Sequence, residues 1–327
     1  MADGFRVIGS EESPYSVKVR SYFRYKNIDH EWMDRAAAGD LFAKHARLPL
    51  VPLVVTPDDT GIQDSTPIIE AMEERFPTPS IYPDEPIAAF VSALLEEFGD
   101  EWGNKWMFHL RWAREIDQMT VSRRFAKRSA PPEKVEETAK AIRERMVPRV
   151  WFVGANEVTA PQIEQSFRDT LALVDAHLAG RTHLFGARPA FADFALWGQI
   201  YNAGRDPTGG SWVQLHANVV QWIERMLNPA ASGDFEPWAD LAPTLTPLLS
   251  DQVSGVFLPW SVANAAAIAA GDEEFEVTLK GQRWVQKPQK YHARSLAALR
   301  AKYAAAQGNP ELDELLEATG CRSYLRG

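Results

Sequence analysis

Ser13-Pro14-Tyr15-Ser16 places three hydroxyl groups around the first turn of an apparent helix. Unpaired N–H groups and the positive end of the helix dipole favour an anion at such a place. A thiolate held there would have its pKa lowered, and a hydroxyl would add a charge-assisted hydrogen bond to the sulfur. The same residues also make an ordinary helix start, with Ser13 capping and Pro14 at the first position. Further along, Leu48-Pro49-Leu50-Val51-Pro52-Leu53-Val54-Val55 is almost continuously apolar, as a strand buried on both faces is. Proline inside such a run argues against an ordinary central strand. The conflict disappears if Pro52 begins the strand after a cis peptide bond, which only an X-Pro bond forms at modest cost. Gln63-Asp64-Ser65-Thr66-Pro67 then sets an acid just before a second helix start, where hydroxyls and N–H groups suit a carboxylate. Capping by Ser65 or Thr66 ahead of Pro67 also accounts for this segment.

The elements that must position these residues follow from periodicity. Phe5-Arg6-Val7-Ile8 reads as a strand, Tyr15 to Lys26 as a helix, and His30 to Met33 as a second strand. A polar, alanine-rich helical patch precedes the strand at Pro52. Thr56 to Gly61 is turn chemistry, Ile62-Gln63 a brief strand, and Pro67 to Phe76 a helix. The order β-α-β-α-β-β-α is thioredoxin-like. The proline-rich stretches from Phe76 to Ser80 and from Tyr82 to Pro86 end this first domain, placed at residues 1–80. Residues 88–228 show helical periods and almost no strand pattern, which predicts an all-α second domain. Along Phe90 to Ile116 an aromatic stripe recurs at Phe98, Trp102, Trp106, Leu110 and Ala113. Residues 229–327 form an extension. In it, Phe275-Glu276-Val277-Thr278-Leu279 and Gln282-Arg283-Trp284-Val285-Gln286 flank Lys280-Gly281 as a hairpin. Helices are expected over Val256 to Ala270, Tyr291 to Ala306 and Leu312 to Ala318.

Composition narrows the partners. The 327 residues carry 35 basic and 44 acidic side chains, net -9, which disfavours nucleic acid or an anionic membrane as the main partner. No apolar run approaches the roughly 18 residues that span a bilayer, and no leader pattern opens the chain, so a cytoplasmic protein is expected. The single cysteine, Cys321, forms no internal disulfide and reads as incidental. Arg123-Arg124 with Lys127-Arg128 is a small basic cluster, and Glu133 to Arg145 alternates charge like a solvated helix face. No metal-ligand spacing stands out.

Taken together and in this order, the three early segments resemble the glutathione transferase superfamily, in its serine-type, bacterial-like members. The resemblance covers about residues 1–228. It implies glutathione as co-substrate and no metal. On Ser-Pro-Tyr-Ser-x-Lys-Val-Arg, Ser13 falls where serine-type relatives keep the active hydroxyl; Ser16 is the second choice and Tyr15 an outside one. Val51, before Pro52, would pair its backbone with the cysteinyl part of glutathione. Asp64 and Ser65 would meet the γ-glutamyl amine and carboxylate, with Gln63 as an additional polar contact. Ala46-Arg47-Leu48-Pro49 departs from the family's usual Asn-Pro-x-Gly lead-in, which leaves Lys44, His45 and Arg47 without an assigned role. Trp102, Trp106, His109 and Arg111 are candidate walls for a hydrophobic electrophile, and the aromatic stripe reads equally as core. Arg188-Pro189-Ala190-Phe191-Ala192-Asp193-Phe194 resembles the family's capped buried helix, with Ala190 in place of Ser or Thr, so that only Asp193 can close the cap. A homodimer is implied. The expected activity is transfer of glutathione to an electrophile. The alternatives are a glutathione-dependent disulfide or peroxide reductase and a non-catalytic binding or assembly protein.

Overall fold

The structure is a computed structural model that describes residues 4–306 and 308–326. Its first sheet has the order β2-β1-β3-β4, built from β1 (Phe5–Gly9), β2 (His30–Asp34), β3 (Leu53–Val55) and β4 (Gly61–Gln63). The β1–β2 pair is parallel and therefore needs a crossover, supplied by α1 (Pro14–Tyr25). The other two pairs are antiparallel. Val7, Ile8, Leu53, Val54 and Val55 are fully buried because both faces of the sheet are covered. Val7 and Val54 pack with Val17 and Val19 of α1 and with Ile68 and Ile69 of α3 (Ser65–Arg75). Ile8, Leu53 and Val55 meet Phe42 of α2 (Gly39–His45) on the opposite face. The thioredoxin-like order read from the sequence is the one observed.

Helices follow. They are α4 (Pro86–Glu97), α5 (Gly103–Ala113), α6 (Glu115–Ser129), α7 (Val135–Met146), α8 (Ala160–His177), α9 (Phe191–Gly204), α10 (Pro207–Val213) and α11 (Ala217–Leu227). The aromatic stripe does not lie on one continuous helix: a wide π-helical turn at Phe98–Trp102 separates α4 from α5, and extended Arg114 ends α5. Such a turn inserts a residue and shifts the helical phase. Glu96, Glu97, Asp100 and Glu101 are all buried, facing two different neighbours.

The buried α9 packs against α1, α4 and α5. Asp193 accepts from the Ala190 amide at 2.9 Å, the returning arm expected of the cap, and also from the Leu184 amide and the Trp222 indole. A Cβ on Gly198 of α9 would stand 2.6 Å from the Pro14 carbonyl oxygen, so the absence of a side chain lets α9 touch the first turn of α1.

The extension contains α12 (Trp238–Leu248), a second wide turn at Leu249–Phe257, and α13 (Leu258–Ala270). The hairpin of β5 (Phe275–Leu279) and β6 (Gln282–Gln286) turns at Lys280-Gly281, both with positive φ. It is followed by α14 (Ala293–Ala305), α15 (Pro310–Ala318) and α16 (Arg322–Leu325). Trp284 of the hairpin is buried 5.2 Å from Trp102, and Tyr303 of α14 stands 5.8 Å from Phe90 of α4. One expectation is corrected. The run Trp238–Ala270 is one helical stretch of 33 residues, long and apolar enough to cross a membrane by length and composition. Pro243, Pro247 and scattered polar residues hide its continuity in the sequence. Its Leu241, Leu245, Val253, Phe257 and Trp260 lie buried in the common core.

The first domain is tied to the helical one by a buried ammonium. Lys18 donates to Glu96 at 2.6 Å, to Asp100 at 2.7 Å and to Thr66 Oγ1 at 3.3 Å, and is fully buried. Burial alone pulls an amine toward neutrality, but Asp100 and Glu96 more than offset it and hold Lys18 protonated. Removing one partner of a buried ion network leaves the others uncompensated. Lys18→Met should therefore lower the unfolding free energy by about 3–5 kcal/mol in urea titrations at neutral pH. A loss below about 1 kcal/mol would show that the network is not holding the two parts together.

Candidate active site

Strand register brings the three early segments to one place. Ile8 lies opposite Leu53, and Leu53 opposite Gln63. The chain leaving β1 toward Ser13, the chain entering β3 through Val51-Pro52 and the chain leaving β4 at Asp64-Ser65 therefore emerge at the same end of the sheet.

The loop before α1 is fixed by arginines. Glu11 is gripped by Arg20 at 2.6 and 3.0 Å and accepts from the Tyr201 hydroxyl at 2.9 Å. The Glu12 side chain is fully buried beside Arg124, Arg128 and Arg205. Arg111 donates to the Glu12 carbonyl at 2.7 Å and pairs with Asp206 at 3.1 Å. Arg124 and Arg128, part of the small basic cluster, thus pair with the loop through Glu12.

Of the three hydroxyls, each has a different occupation. Ser13 is half-buried and caps α1, its Oγ accepting from the Ser16 amide at 3.2 Å. A serine oxygen that accepts still has its own proton to donate. Ser16 is fully buried behind Gly9, and among the described residues its Oγ has no hydrogen-bond partner. Tyr15 donates to the Asp100 carbonyl at 2.9 Å and accepts from Asn104 at 3.2 Å. Burial and then the Asp100 charge push its pKa well above the usual phenol range, so it stays a neutral donor.

The Val51–Pro52 peptide is cis. Among the described residues no partner engages the Val51 N–H or carbonyl, which leaves a short backbone edge open. Gln63 has another task than ligand contact: its amide accepts from the Arg47 and Leu48 amides and donates to the Leu48 and Leu50 carbonyls, both at 2.7 Å. All four of its hydrogen-bonding positions splint the loop that leads to Val51. Lys44 and His45 are spent on Asp59 of the turn between β3 and β4.

Asp64 has φ +86, and its amide reaches the Pro52 carbonyl at 3.3 Å. Its Oδ2 accepts from the Tyr291 hydroxyl at 3.0 Å. Ser65, buried at the start of α3, donates to Asp100 Oδ2 at 3.4 Å, and Thr66 donates to Glu96 at 2.6 Å. Asp100 Oδ1 is buried and, among the described residues, without a partner. Burial outweighs the Lys18 charge and, with repulsion from Glu96, pushes the Asp100 carboxyl up to about 6. This end of the site is acidic.

The proposed electrophile walls separate. Trp102 and Trp106 are core, buried side by side with both indoles donating to Ser166 Oγ, at 2.8 and 3.1 Å. Arg111 is spent on Glu12, Asn202 and Asp206. His109 pairs with Glu164 at 3.0 Å and lines a cavity of about 520 Å³ with Arg114, Trp112 and Val150. Cys321 is buried within the extension, and burial pushes its thiol up to about 11. Three contributors escaped sequence reasoning. Asp100 and Lys18 had a signal, charges inside otherwise apolar helical patterns; Tyr291, 227 positions from Asp64, had none.

Comparison with known proteins adds a further finding. Residues 12–75 match the family described as "Glutathione S-transferase, N-terminal domain", and residues 140–225 match "Glutathione S-transferase, C-terminal domain". Glutathione S-transferase stcT of Emericella nidulans is 35% identical over 82 residues, 23% of this chain and 38% of that relative. The match thus spans less than half of the curated relative's length. Among solved structures, the β-etherase LigF from Sphingobium sp. strain SYK-6 has a TM-score of 0.50 at 16% identity, over 75% of this chain and 99% of that one. That likeness is one of fold. A glutathione S-transferase from Methylobacillus flagellatus KT, solved with GSH bound, matches at 19% identity and a TM-score of 0.42, over 69% of this chain and 96% of that one.

The acidic cluster gives the protein a pH signature. Burial, with repulsion from Glu96, pushes the Glu97 carboxyl from its ordinary 4.5 up to about 8, against hydrogen bonding from Ser295 and the charge of Lys302. The folded state then holds a proton that the unfolded chain has released, so stability is lost as pH rises toward 8. Buried His177, His183 and His292 act with the opposite sign below their ordinary range, which a variant-minus-parent comparison removes. Glu97→Gln should therefore gain on the parent by about 1 kcal/mol or more between pH 6 and pH 8 in urea unfolding. Parallel pH profiles would count against this assignment.

Proposed function

Since the chain belongs to the glutathione transferase superfamily, we propose that it binds glutathione across the first domain and transfers its sulfur to an electrophilic small molecule. The observation that carries this proposal is the convergence, at one end of the sheet, of a capping serine with a proton to give, an unengaged Val51 backbone edge, and an acid ahead of a helix start.

In this arrangement the cysteinyl backbone of glutathione extends the open edge at Val51, as an added strand would. The γ-glutamyl carboxylate takes the first amides of α3, that of Ser65 among them, and its ammonium takes Asp64. The thiol then faces the start of α1, where the helix dipole and the Ser13 hydroxyl stabilise the thiolate. The thiol proton leaves to solvent, and the sulfur lone pair forms the bond to the electrophile as its leaving group departs. Ser13 acts by hydrogen bonding and makes no covalent bond. The buried Cys321 takes no part. A homodimer acting in the cytoplasm on a hydrophobic electrophile completes the proposal.

Retention on immobilised glutathione and calorimetric titration test the binding step. For the chemical step, Ser13→Ala should lower turnover with an aryl halide about 10–100-fold, as expected for a lost hydrogen bond to a charged group, with the glutathione Kd changed much less. Loss of the cap also costs about 1 kcal/mol of stability, to be checked by thermal unfolding. Equal turnover in the two proteins would remove Ser13 from the mechanism.

A further inference from the structure

The geometry points to Tyr291 of the extension as a positioning residue of this site: its hydroxyl orients Asp64 to receive a primary ammonium, so that the C-terminal extension is a built part of the ligand pocket. This inference rests on the glutathione-binding proposal and names the contact at the amine end.

Tyr291 is held from both sides. Before it, Gln289 exchanges two hydrogen bonds with Asn264 of α13, at 2.7 and 3.0 Å, and accepts from the buried Lys105 at 3.3 Å. After it, His292 is buried edge-on to Trp260 at 5.1 Å and beside the Glu101 carboxylate, and Ser295 donates to Glu97. The backbone between these anchors cannot swing freely. The Tyr291 ring is half-exposed and crosses to the first domain, where its hydroxyl donates to Asp64 Oδ2 at 3.0 Å. Burial and the Asp64 charge keep this phenol protonated, hence a permanent donor.

A carboxylate has lone pairs on both oxygens. Tyr291 occupies one oxygen of Asp64, and among the described residues the other has no hydrogen-bond partner. The Asp64 backbone is fixed from the far side by the Pro52 carbonyl and by the amide of Ile68, which donates to the Asp64 carbonyl at 3.0 Å. Side chain and main chain are therefore set independently, which is what pre-organisation of a single acceptor requires. The charge balance selects the ligand group. The Lys18 ammonium that reaches Thr66 is already engaged by Glu96 and Asp100, and Asp100 leaves Oδ1 unpaired, so the net field favours an incoming cation.

Tyr291→Phe keeps the ring and removes only the hydroxyl. Calorimetric Kd values for glutathione and for its analogue lacking the γ-glutamyl amine, the latter by competition where it is weak, read the effect. The variant should bind glutathione about 3–10-fold more weakly, bind the deamino analogue as the parent does, and unfold at the same temperature. Equal weakening toward both ligands assigns Tyr291 a general structural role and overturns the inference, as does an unchanged or tighter glutathione Kd. If neither protein binds glutathione at millimolar concentration, the glutathione proposal falls and takes the inference with it; binding with no effect of the substitution removes the inference alone.

Discussion

A single ammonium inside the protein sets the relation between the two halves of the site. Lys18 belongs to the helix that carries Ser13, and the carboxylates that neutralise it belong to the helical domain. Its third contact, Thr66, belongs to the helix that carries Ser65. Taking such a group out of water costs several kcal/mol unless its partners are well placed, so its burial specifies where α1, α3 and α4 stand relative to one another. The thiolate end and the amine end of the candidate pocket are in this way held at a fixed separation by a residue that meets neither. The arginines around Glu11 and Glu12 do the same for the loop ahead of α1, replacing the mobility of a surface loop with buried, multiply bonded charge.

The end of α4 and the wide turn after it supply both carboxylates. A regular α-helix presents one stripe to one neighbour, so consecutive acids would be divided between core and solvent. Here the stretch has neighbours on both sides: Glu96 and Asp100 reach back to the first domain while Glu97 and Glu101 face the extension. Gly99 within the wide turn lies against the α9 backbone, where a Cβ would come within 2.8 Å of the Leu196 nitrogen. The end of α4 and the turn after it therefore join three layers.

What was legible in the sequence was local. The hairpin from Phe275 to Gln286 follows from alternation around Lys280-Gly281, and the strand-helix order of the first 75 residues follows from apolar periodicity and turn residues. Pro52 inside an apolar run was decisive because a proline conflicts so sharply with a central strand. The rest was set by contacts between distant positions. Arg124 and Arg128 have the same local pattern as a solvated helix face, and only the return of Glu12 gives each a buried carboxylate to pair with. Gln63 looks like a free polar contact until the loop at 47–50 folds onto it. Trp102 and Trp106 fit a pocket or a core equally well by spacing; Ser166 and Gln252, two segments away, decide for the core. The reach of the extension to the first domain leaves no periodic trace, so Tyr291 could not be anticipated.

The contact between Gly198 and the Pro14 carbonyl is main chain against main chain, without an intervening rotamer. Side-chain packing can absorb a small error by rotating a bond; this joint cannot, and its tolerance is that of atomic radii. The spacing between α9 and the first turn of α1 is therefore the least adjustable dimension of this joint. Any change of dimension near Ser13 has to come from the loops around this joint, whose side chains can re-rotate.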